Sequence, residues 1–336
     1  MSIEPSWSIS YSVDLSVLAE RLGFSNIWVP DYGPAPPYSD AIVTLSAIAS
    51  ETSRIRFGSA VLNFYTRNPA LIASSFLALS DLGRSKNTGR SSGQRAILGL
   101  GVGSDWNVAK AGIGERSGRI PQLREAIESI NELFLGKEVT VRTESFAIEA
   151  VTLSKSKVRI PIYLGTSSPK GLEMAGEMAD GLILTDRIPA EEEESMKHVS
   201  WGLGNTTRRR RDIDVVNSVV ISVDADRGKA IRAAKPTCAY LVSWLSDMIA
   251  EAHQIDLGVK HRISRFIQRG DEKTAAELVD NHMVDLLTAS GTPEDCMQKC
   301  KEYLSYDIDQ LAFCEPFGPD QKESLTMLSR KVVPRL

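Results

Sequence analysis

Two acidic residues stand at the ends of predicted buried strands, where a carboxyl group could hold or transfer a proton. Glu4 lies in the short run 2–5, and Asp31 follows the apolar run 26–30. An unpaired buried carboxylate is costly, so Glu4 needs either a partner or a chemical role. If burial raises its pKa, Glu4 carries a proton at neutral pH and can act as a general acid. For Asp31, a helix cap or a turn is an equally good interpretation of the residue type.

Two loops have the chemistry of a phosphate site. Residues 165–176 read GTSSPKGLEMAG, so small hydroxyl residues precede Pro169, the expected first residue of a helix. Backbone N–H groups and the helix dipole make such a position an anion site. Residues 101–106 read GVGSDW and offer close backbone approach together with a hydroxyl. Either loop alone also fits an ordinary helix cap, but the two together at one face indicate a phosphorylated ligand.

The elements that must position these residues are short apolar runs, most of them separated by amphipathic segments. This alternation predicts parallel strands joined by right-handed crossovers. A doubly wound open sheet is the alternative, but it usually carries GxGxxG after its first strand, and here that position reads Ser6-Trp7-Ser8. We therefore predict an α/β protein, a (β/α)8 TIM barrel. The predicted strands are residues 2–5, 26–30, 54–59, 95–101, 160–165, 181–185, 214–223 and 310–314.

Three segments depart from a minimal barrel. Residues 138–153 alternate like an inserted β-hairpin, and residues 81–93 form a polar loop rich in Ser, Gly and Arg. Residues 224–309 are mainly helical and too long for one crossover helix, which predicts a helical lobe between the seventh and eighth strands. We expect one domain over 1–336, with 224–309 as an insertion within it. The lobe helices are predicted at 227–255, 260–269, 273–287 and 293–304.

The composition is that of a globular enzyme. Over 336 residues, 42% are hydrophobic, enough for one large core, and the net charge of −4 gives no general attraction to nucleic acid or anionic membranes. No apolar run reaches the roughly 18 residues of a membrane span, no secretory signal is visible, and no histidine or cysteine spacing matches a metal site. We expect a cytoplasmic protein without a metal, and we interpret the arginine run 208–211 as a solvated loop.

In a TIM barrel the active site forms at the carboxyl ends of the strands, and here those ends carry a family resemblance. The chain resembles the bacterial-luciferase-like superfamily, and within it most closely the coenzyme F420-dependent methylenetetrahydromethanopterin reductases. The resemblance extends over nearly the whole chain. Its most specific pieces are the stretch 160–184 and the pattern NxYxRxP at 63–69. The matching stretches include SIEP, IWVPDY, VLNFYTRNPALIAS, RAILGLGVG, IPIYLGTSSPKGLEMAGEMADGLIL and EPFGPD.

The resemblance implies a deazaflavin, F420, in the barrel mouth, with its phosphate on the backbone around 165–168. It also implies a cis peptide bond between Ala60 and Val61 that bulges toward the ring. Glu4 and Asp31 match acidic active-site positions of the family. The expected catalytic residues are Glu4 and Asp31; the cofactor-binding residues are Ala60, Val61, Asn63, Gly103, Ser104, Gly165, Thr166, Ser167 and Ser168; the substrate-binding residues are Tyr32, Tyr65 and Glu315.

Several positions depart from the pattern of the reductases and bear on the substrate. The reductases have Asp-His where this chain has Asp31-Tyr32, and an aspartate where it has Ser104, with Asp105 as the neighbouring replacement. The resemblance thus predicts hydride transfer between reduced F420 and a small organic substrate, with methylenetetrahydromethanopterin as the leading choice. An FMN-dependent luciferase-like monooxygenase and a non-catalytic cofactor-binding barrel are the alternatives. Family members also lead us to expect a homo-oligomer, a dimer or a tetramer.

Overall fold

The computed structural model describes residues 1–34, 37–84, 94–114, 116, 118–153, 158–185 and 188–336. The chain divides into two compact units: Met1–Thr185 with Glu194–Val216, and Asp186–Glu193 with Asn217–Leu336. The organisation expected from the sequence, one domain over 1–336 with an insertion at 224–309, stays a prediction. Most of the polar loop predicted at 81–93 lies outside the described residues, which resume at residue 94.

The strands of the described structure are short and mostly buried. They are β1 (Asn26–Val29), β2 (Arg56–Ser59), β3 (Leu62–Asn63), β4 (Ala96–Gly101), β5 (Val139–Arg142), β6 (Ala147–Val151), β7 (Ile162–Gly165), β8 (Gly181–Leu184), β9 (Asp214–Val223), β10 (Ala289–Gly291) and β11 (Gln310–Phe317).

The helices alternate with the strands. They are α1 (Ile9–Arg21), α2 (Ala41–Glu51), α3 (Pro69–Leu82), α4 (Asp105–Lys110), α5 (Arg119–Phe134), α6 (Pro169–Met178), α7 (Pro189–Gly204), α8 (Arg227–Trp244), α9 (Asp247–Ala252), α10 (Leu257–Gln268), α11 (Glu272–Glu277), α12 (Asn281–Leu287), α13 (Pro293–Leu304) and α14 (Gln321–Met327), with short helical turns at Arg210–Asp212, Leu328–Val332 and Val333–Arg335.

The first unit is built on parallel strands in the order β1-β2-β4-β7-β8, with β3 also paired to β4. Strands β5 and β6 pair antiparallel as a separate hairpin, which confirms the inserted hairpin predicted from the sequence. Each parallel pair is joined through a helix, because strands that run in the same direction need a crossover. Helices α1 and α2 pack on each other, as do α3 and α5.

The predicted strand at residues 2–5 is wrong as a regular strand. Only an isolated parallel bridge joins Ser2 to Trp28, and Ile3 donates its N–H to the Trp28 carbonyl at 2.8 Å. The chain turns at Pro5, which has no N–H with which to continue a ladder. Glu4 therefore lies where the bridge gives way to a turn.

The second unit contains β10 and β11, both paired with β9, and a group of helices. The apolar faces of α8, α10, α11 and α12 pack together around buried residues such as Val242, Ile263 and Val284. The single helix predicted at 227–255 is instead two helices, because Leu245 is extended and Ser246 caps the second one. The short strand β10 was not predicted; it lies between two predicted helices of the lobe.

Two charged residues, which we call the amino-end cluster, fasten the amino ends of β2 and β4. The Glu20 carboxylate accepts backbone N–H groups from Ser53, Arg54 and Ile55 at 2.9, 2.7 and 2.9 Å. Arg95 is 5% exposed, and within the described residues its guanidinium donates to neutral oxygens. Those oxygens are the carbonyls of Gly83 (2.7 Å), Ile55 (3.2 Å) and Ala49 (3.0 Å) and the Thr52 hydroxyl (3.2 Å).

Candidate active site

The carboxyl ends of three neighbouring strands meet in one row. Asn63 at the end of β3 lies opposite Gly101 of β4, and Gly101 lies opposite Gly165 of β7. Parallel pairing puts the loops that follow these residues at the same edge of the sheet. The structure thus brings together three segments in which cofactor-binding residues are expected.

Val61 lies directly on the two glycines of this row. A Cβ atom added at Gly101 would come within 2.8 Å of Val61 Cγ2, and one added at Gly165 would come within 2.7 Å of Val61 Cγ1. Only glycine fits at these two positions without displacing Val61. The peptide bond between Ala60 and Val61 is cis, as the resemblance implies, and the Ala60 N–H donates to the Val29 carbonyl at 2.9 Å.

Glu4 is half-buried beside this edge. Its Oε1 accepts the backbone N–H of Ser6 at 3.1 Å, and the neighbouring Pro5 carbonyl accepts the N–H of Ser39, in the loop after β1, at 2.9 Å. Burial raises the pKa of Glu4, and the Ser6 hydrogen bond only partly opposes that rise. Glu4 therefore keeps its proton to a higher pH than an exposed glutamate, as a general acid requires.

Asp31 is the second half-buried acid. Its Oδ1 accepts the N–H of Gly33 at 3.1 Å, the turn geometry that the sequence left open as an alternative. Burial raises the pKa of Asp31; the Gly33 hydrogen bond and the charge of Arg67 lower it, and the charge of Asp40 adds to the rise. Tyr32 follows, with its ring centroid 5.0 Å from that of Tyr38 in the same loop.

The pattern NxYxRxP has a structural reason at each described position. Asn63 Oδ1 accepts the N–H and the hydroxyl of Thr66 at 2.9 and 3.1 Å, which closes the turn after β3. Because that oxygen is committed to the turn, the Asn63 amide nitrogen is the part of the side chain suited to a ligand. Arg67 forms an ion pair with Asp40, the N-cap of α2, and Pro69 begins α3.

Tyr65 is held among aromatic and cationic neighbours. The centroid of its ring lies 4.1 Å from that of Phe64. The Phe64 centroid lies 6.0 Å from that of Phe146, in the β5–β6 hairpin. The guanidinium carbon of Arg116 stands 4.8 Å from the Tyr65 ring centroid. Burial raises the pKa of the Tyr65 hydroxyl, against the lowering influence of Arg116 and Arg119. Tyr65 therefore stays protonated and can donate a hydrogen bond.

The loop after β4 turns at Gly103, whose φ of +67° favours glycine. A Cβ atom there would also come within 3.0 Å of Val108 and 3.3 Å of Asn63. Ser104 is exposed, and its carbonyl accepts the N–H of Val108 in α4 at 3.1 Å. The adjacent Asp105 carboxylate pairs with Arg116 and, at 3.1 Å, with Arg119.

The loop after β7 forms the amino end of α6. Ser168 is its N-cap and accepts the Gly171 N–H at 3.2 Å, while Thr166 Oγ1 accepts the Ser168 N–H at 3.3 Å. A Cβ atom at Gly171 would come within 2.0 Å of Thr166 Oγ1, so glycine is what lets that hydroxyl lie over the helix end. Ser167 is exposed. Hydroxyl and amide donors at a helix amino end fit a phosphate group.

Glu315 belongs to the second unit, near the carboxyl end of β11. Its Oε1 accepts the hydroxyl of Thr237 in α8 at 3.0 Å. Neither Thr237 nor Arg116 was assigned a role from the sequence. No local signal marks them, because each acts through a contact with a distant part of the chain.

The described residues carry neither a metal site nor a membrane-spanning helix. No group of three His, Cys, Asp or Glu there could hold a metal ion. No helix in those ranges has both the length and the apolar character needed to cross a bilayer. In the arginine run, Arg208 donates to the carbonyls of Gly176 at the end of α6 and of Asp212, at 2.9 and 2.7 Å, which is a structural role.

Comparisons with known proteins agree with this geometry. Residues 2–310 match the model of the luciferase-like monooxygenase family. The chain is 31% identical to the 5,10-methylenetetrahydromethanopterin reductase of Methanolobus tindarius, over 94% of this chain and 93% of that protein. It is 27% identical to the F420-dependent glucose-6-phosphate dehydrogenase of Microbacterium testaceum, over 96% and 92% of the two chains.

A solved structure gives the fold class. The coenzyme F420-dependent tetrahydromethanopterin reductase of Methanopyrus kandleri matches with a TM-score of 0.90 at 26% identity, covering 99% of this chain and 97% of that one. This likeness confirms the predicted (β/α)8 TIM barrel, and the class of protein that fold and site define is a barrel oxidoreductase. The chain belongs to the luciferase-like family.

Proposed function

We propose that the protein is an F420-dependent oxidoreductase that reduces a methylene-bridged pterin of the methylenetetrahydromethanopterin type. The observation that carries the proposal is the row of Asn63, Gly101 and Gly165 with Val61 packed on the two glycines. The two glycines let Val61 pack against the strand ends, so that the Ala60–Val61 segment can border a flat ring at this edge. The solved tetrahydromethanopterin reductase structure and the glucose-6-phosphate dehydrogenase, both similar to this chain along most of its length, are named as F420-dependent.

The described residues fit this cofactor. Thr166, Ser167 and Ser168 would hold its phosphate at the amino end of α6, with Gly103 and Ser104 of the neighbouring loop beside it. Val61, Ala60 and the Asn63 amide would border the ring. When bound, F420 supplies the hydride. The protein contributes orientation and a controlled proton.

Glu4 would supply that proton. Reduction of a methylene bridge between two nitrogens to a methyl group breaks one C–N bond, and the leaving nitrogen takes up a proton. Because burial raises its pKa, the Glu4 carboxyl group holds a proton to a higher pH than an exposed glutamate does, which suits it to this step. Asp31 would position the substrate from the loop after β1, and Tyr32 and Tyr65 would contact it. The substrate contact expected from Glu315 stays a prediction.

We also propose that the enzyme works in the cytoplasm as a homo-oligomer, either a dimer or a tetramer. Support comes from the resemblance to family members and from the composition, which has no membrane-directed feature. Light scattering of the purified protein measures the mass, and a monomer at micromolar concentration would contradict this part of the proposal.

The test is a pair of titrations of the purified protein, one with F420 and one with FMN, followed by anaerobic turnover with reduced F420 and the pterin. We expect F420 binding and oxygen-independent reduction. Binding of FMN alone, with oxygen consumption, would establish the monooxygenase instead. Binding of neither would favour a non-catalytic barrel.

A glycine pair supplies matched variants for the titration. Gly165→Ala adds a methyl group that meets Val61 at 2.7 Å, whereas Gly204→Ala, at the end of α7, meets nothing within 4 Å. We expect Gly165→Ala to weaken F420 binding by about tenfold or more, because the added methyl group displaces Val61, which borders the proposed ring position. Gly204→Ala should bind as the wild type does. Equal affinities for both variants would contradict the proposed ring position.

A further inference from the structure

Arg116 connects the two loops that flank the proposed substrate position. It lies between α4 and α5, and its side chain is only 5% exposed. From there it reaches back to the loop after β4 and across to the loop after β3. A charged side chain is rarely buried so fully unless its donors are satisfied.

The two Nη atoms of the guanidinium and its flat face each have a partner. Nη1 donates to the Val102 carbonyl at 2.5 Å, and Nη2 pairs with the Asp105 carboxylate. The planar group also stands 4.8 Å from the centroid of the Tyr65 ring. Only arginine offers two donors at the edge of a flat cation that can also lie against an aromatic ring.

The three partners are next to residues with proposed ligand roles. Val102 immediately precedes Gly103, where an added Cβ atom would come within 3.3 Å of the Asn63 side chain. Asp105 follows Ser104 and begins α4. Tyr65 is itself a proposed substrate contact. Fixing these three partners therefore fixes the gap between the two loops.

We propose that Arg116 is a positioning residue that sets the spacing of the β3 and β4 loops and the orientation of Tyr65 toward the substrate. The proposal rests on the proposed function for the identity of that substrate. The proposal assigns Arg116 no contact with the reacting atoms, because Nη1 donates to Val102 and Nη2 pairs with Asp105. Its effect on the reaction passes through Tyr65 and the turn at Gly103.

The chain offers a matched control in Arg119. This arginine pairs with the same Asp105 carboxylate at 3.1 Å, but it is 42% exposed. Arg116→Met and Arg119→Met therefore remove the same charge beside the same carboxylate. Arg116→Lys keeps the charge without the fork, and it also serves as the test variant if the methionine variant does not fold.

The first measurement is hydrogen–deuterium exchange of the ligand-free protein. In Arg116→Met we expect amides in residues 62–68 and 101–106 to exchange about fivefold faster or more, since the link between the loops is lost. Arg119→Met should leave both segments unchanged. Because no ligand is present, this readout is independent of the cofactor. Unchanged exchange in Arg116→Met would overturn the proposal even if the protein is an F420 enzyme.

The second measurement separates binding from turnover. We expect Arg116→Met to raise the KM for the pterin about tenfold or more while kcat changes by less than about threefold, because a misplaced Tyr65 weakens substrate binding. Arg116→Lys should recover part of this loss, and Arg119→Met should stay within about twofold of the wild type. Equal KM values for the two methionine variants would overturn the proposal. If the wild type binds no F420 while Arg116→Met still shows faster exchange in the two loops, the proposed function is refuted and the positioning role of Arg116 stands.

Discussion

Charged side chains lie at both ends of the parallel strands in the first unit, and their partners differ. In the amino-end cluster, three backbone N–H groups surround the Glu20 carboxylate. At the carboxyl ends, Ser6 is the hydrogen-bond partner of the Glu4 carboxyl group within the described residues, through its backbone N–H and its side chain. Burial acts to raise the pKa of both glutamates. For Glu20 the N–H donors outweigh burial and the pKa falls, whereas for Glu4 burial prevails and the pKa rises.

The difference shows how one residue type serves two purposes. A carboxylate with several fixed donors is stabilised in its charged form and fastens the backbone. A carboxyl group that is desolvated with few donors is poised to exchange a proton. The same contrast separates Arg95, whose donors meet carbonyls of the scaffold, from Arg116, whose donors meet the loops of the site.

The largest expected effect comes from breaking the amino-end cluster. Arg95→Met removes a buried cation and leaves the carbonyls of Gly83 and Ala49 without their donor. We expect the free energy of unfolding to fall by about 3–5 kcal/mol, because each buried acceptor left without a donor costs about 1–3 kcal/mol. Urea denaturation measures the loss. Arg54→Met, at an exposed arginine, is the control, and a similar small loss in both variants would remove the structural role assigned to Arg95.

At the other end, Glu4→Gln should affect turnover rather than folding. Without an acidic proton, we expect kcat to fall by about 100-fold or more, a usual contribution of a general acid. The Kd for F420 should stay within about twofold, because the amide keeps the shape of the carboxyl group. Stopped-flow kinetics and a binding titration measure the two quantities. Glu51→Gln, at an exposed glutamate, is the control and should keep full activity. Full activity in Glu4→Gln as well would show that Glu4 is not the general acid.

Glu20→Gln should show the opposite pattern. The glutamine amide offers one neutral oxygen to the N–H groups of 53–55, where the carboxylate offers two charged ones. We therefore expect the free energy of unfolding to fall by about 1–2 kcal/mol. Activity per folded molecule should not change, because Glu20 lies at the amino ends of the strands. Thermal unfolding and steady-state kinetics on the same samples check both statements. A loss of activity without a loss of stability would contradict the division between the two ends.

The smallest effect is a difference in pH dependence. The raised pKa of Glu4 means that its stabilising contribution is present below the unfolded-state pKa and is lost as pH rises through the folded value. The unfolding midpoint of Glu4→Gln, relative to the wild type, should therefore increase by about 1–3 °C from pH 4 to pH 7.

The lowered pKa of Glu20 reverses that sign. Its contribution is present above the unfolded-state pKa and is lost as pH falls through the folded value. The deficit of Glu20→Gln relative to the wild type should shrink on acidification. Differential scanning calorimetry at several pH values measures both trends, and trends of equal sign in the two variants would refute the contrast.

The apolar alternation predicted most of the strands of the first unit closely. The runs 26–30 and 95–101 became β1 and β4 within one residue, because a buried strand needs continuous apolar side chains. The run 2–5 was wrong because Pro5 ends pairing after one bridge. The prediction of one lobe helix at 227–255 was wrong. The apolar residues keep helical spacing through this range, but the backbone helix ends at Trp244 and a second helix begins after the Ser246 cap.

The sequence by itself determined where the loops of the site would stand. The prolines at 69 and 169 begin helices through local backbone geometry, which a sequence records directly, whereas the glycines at 101 and 165 are needed because the distant Val61 packs on them. Only the tertiary structure decided which charged groups are desolvated and which are satisfied. Glu4 and Glu20 are the same residue type, and their pKa values diverge because their donors come from differently folded surroundings. Arg116 gains its role in the same way, through partners that lie at least 11 residues away in the chain.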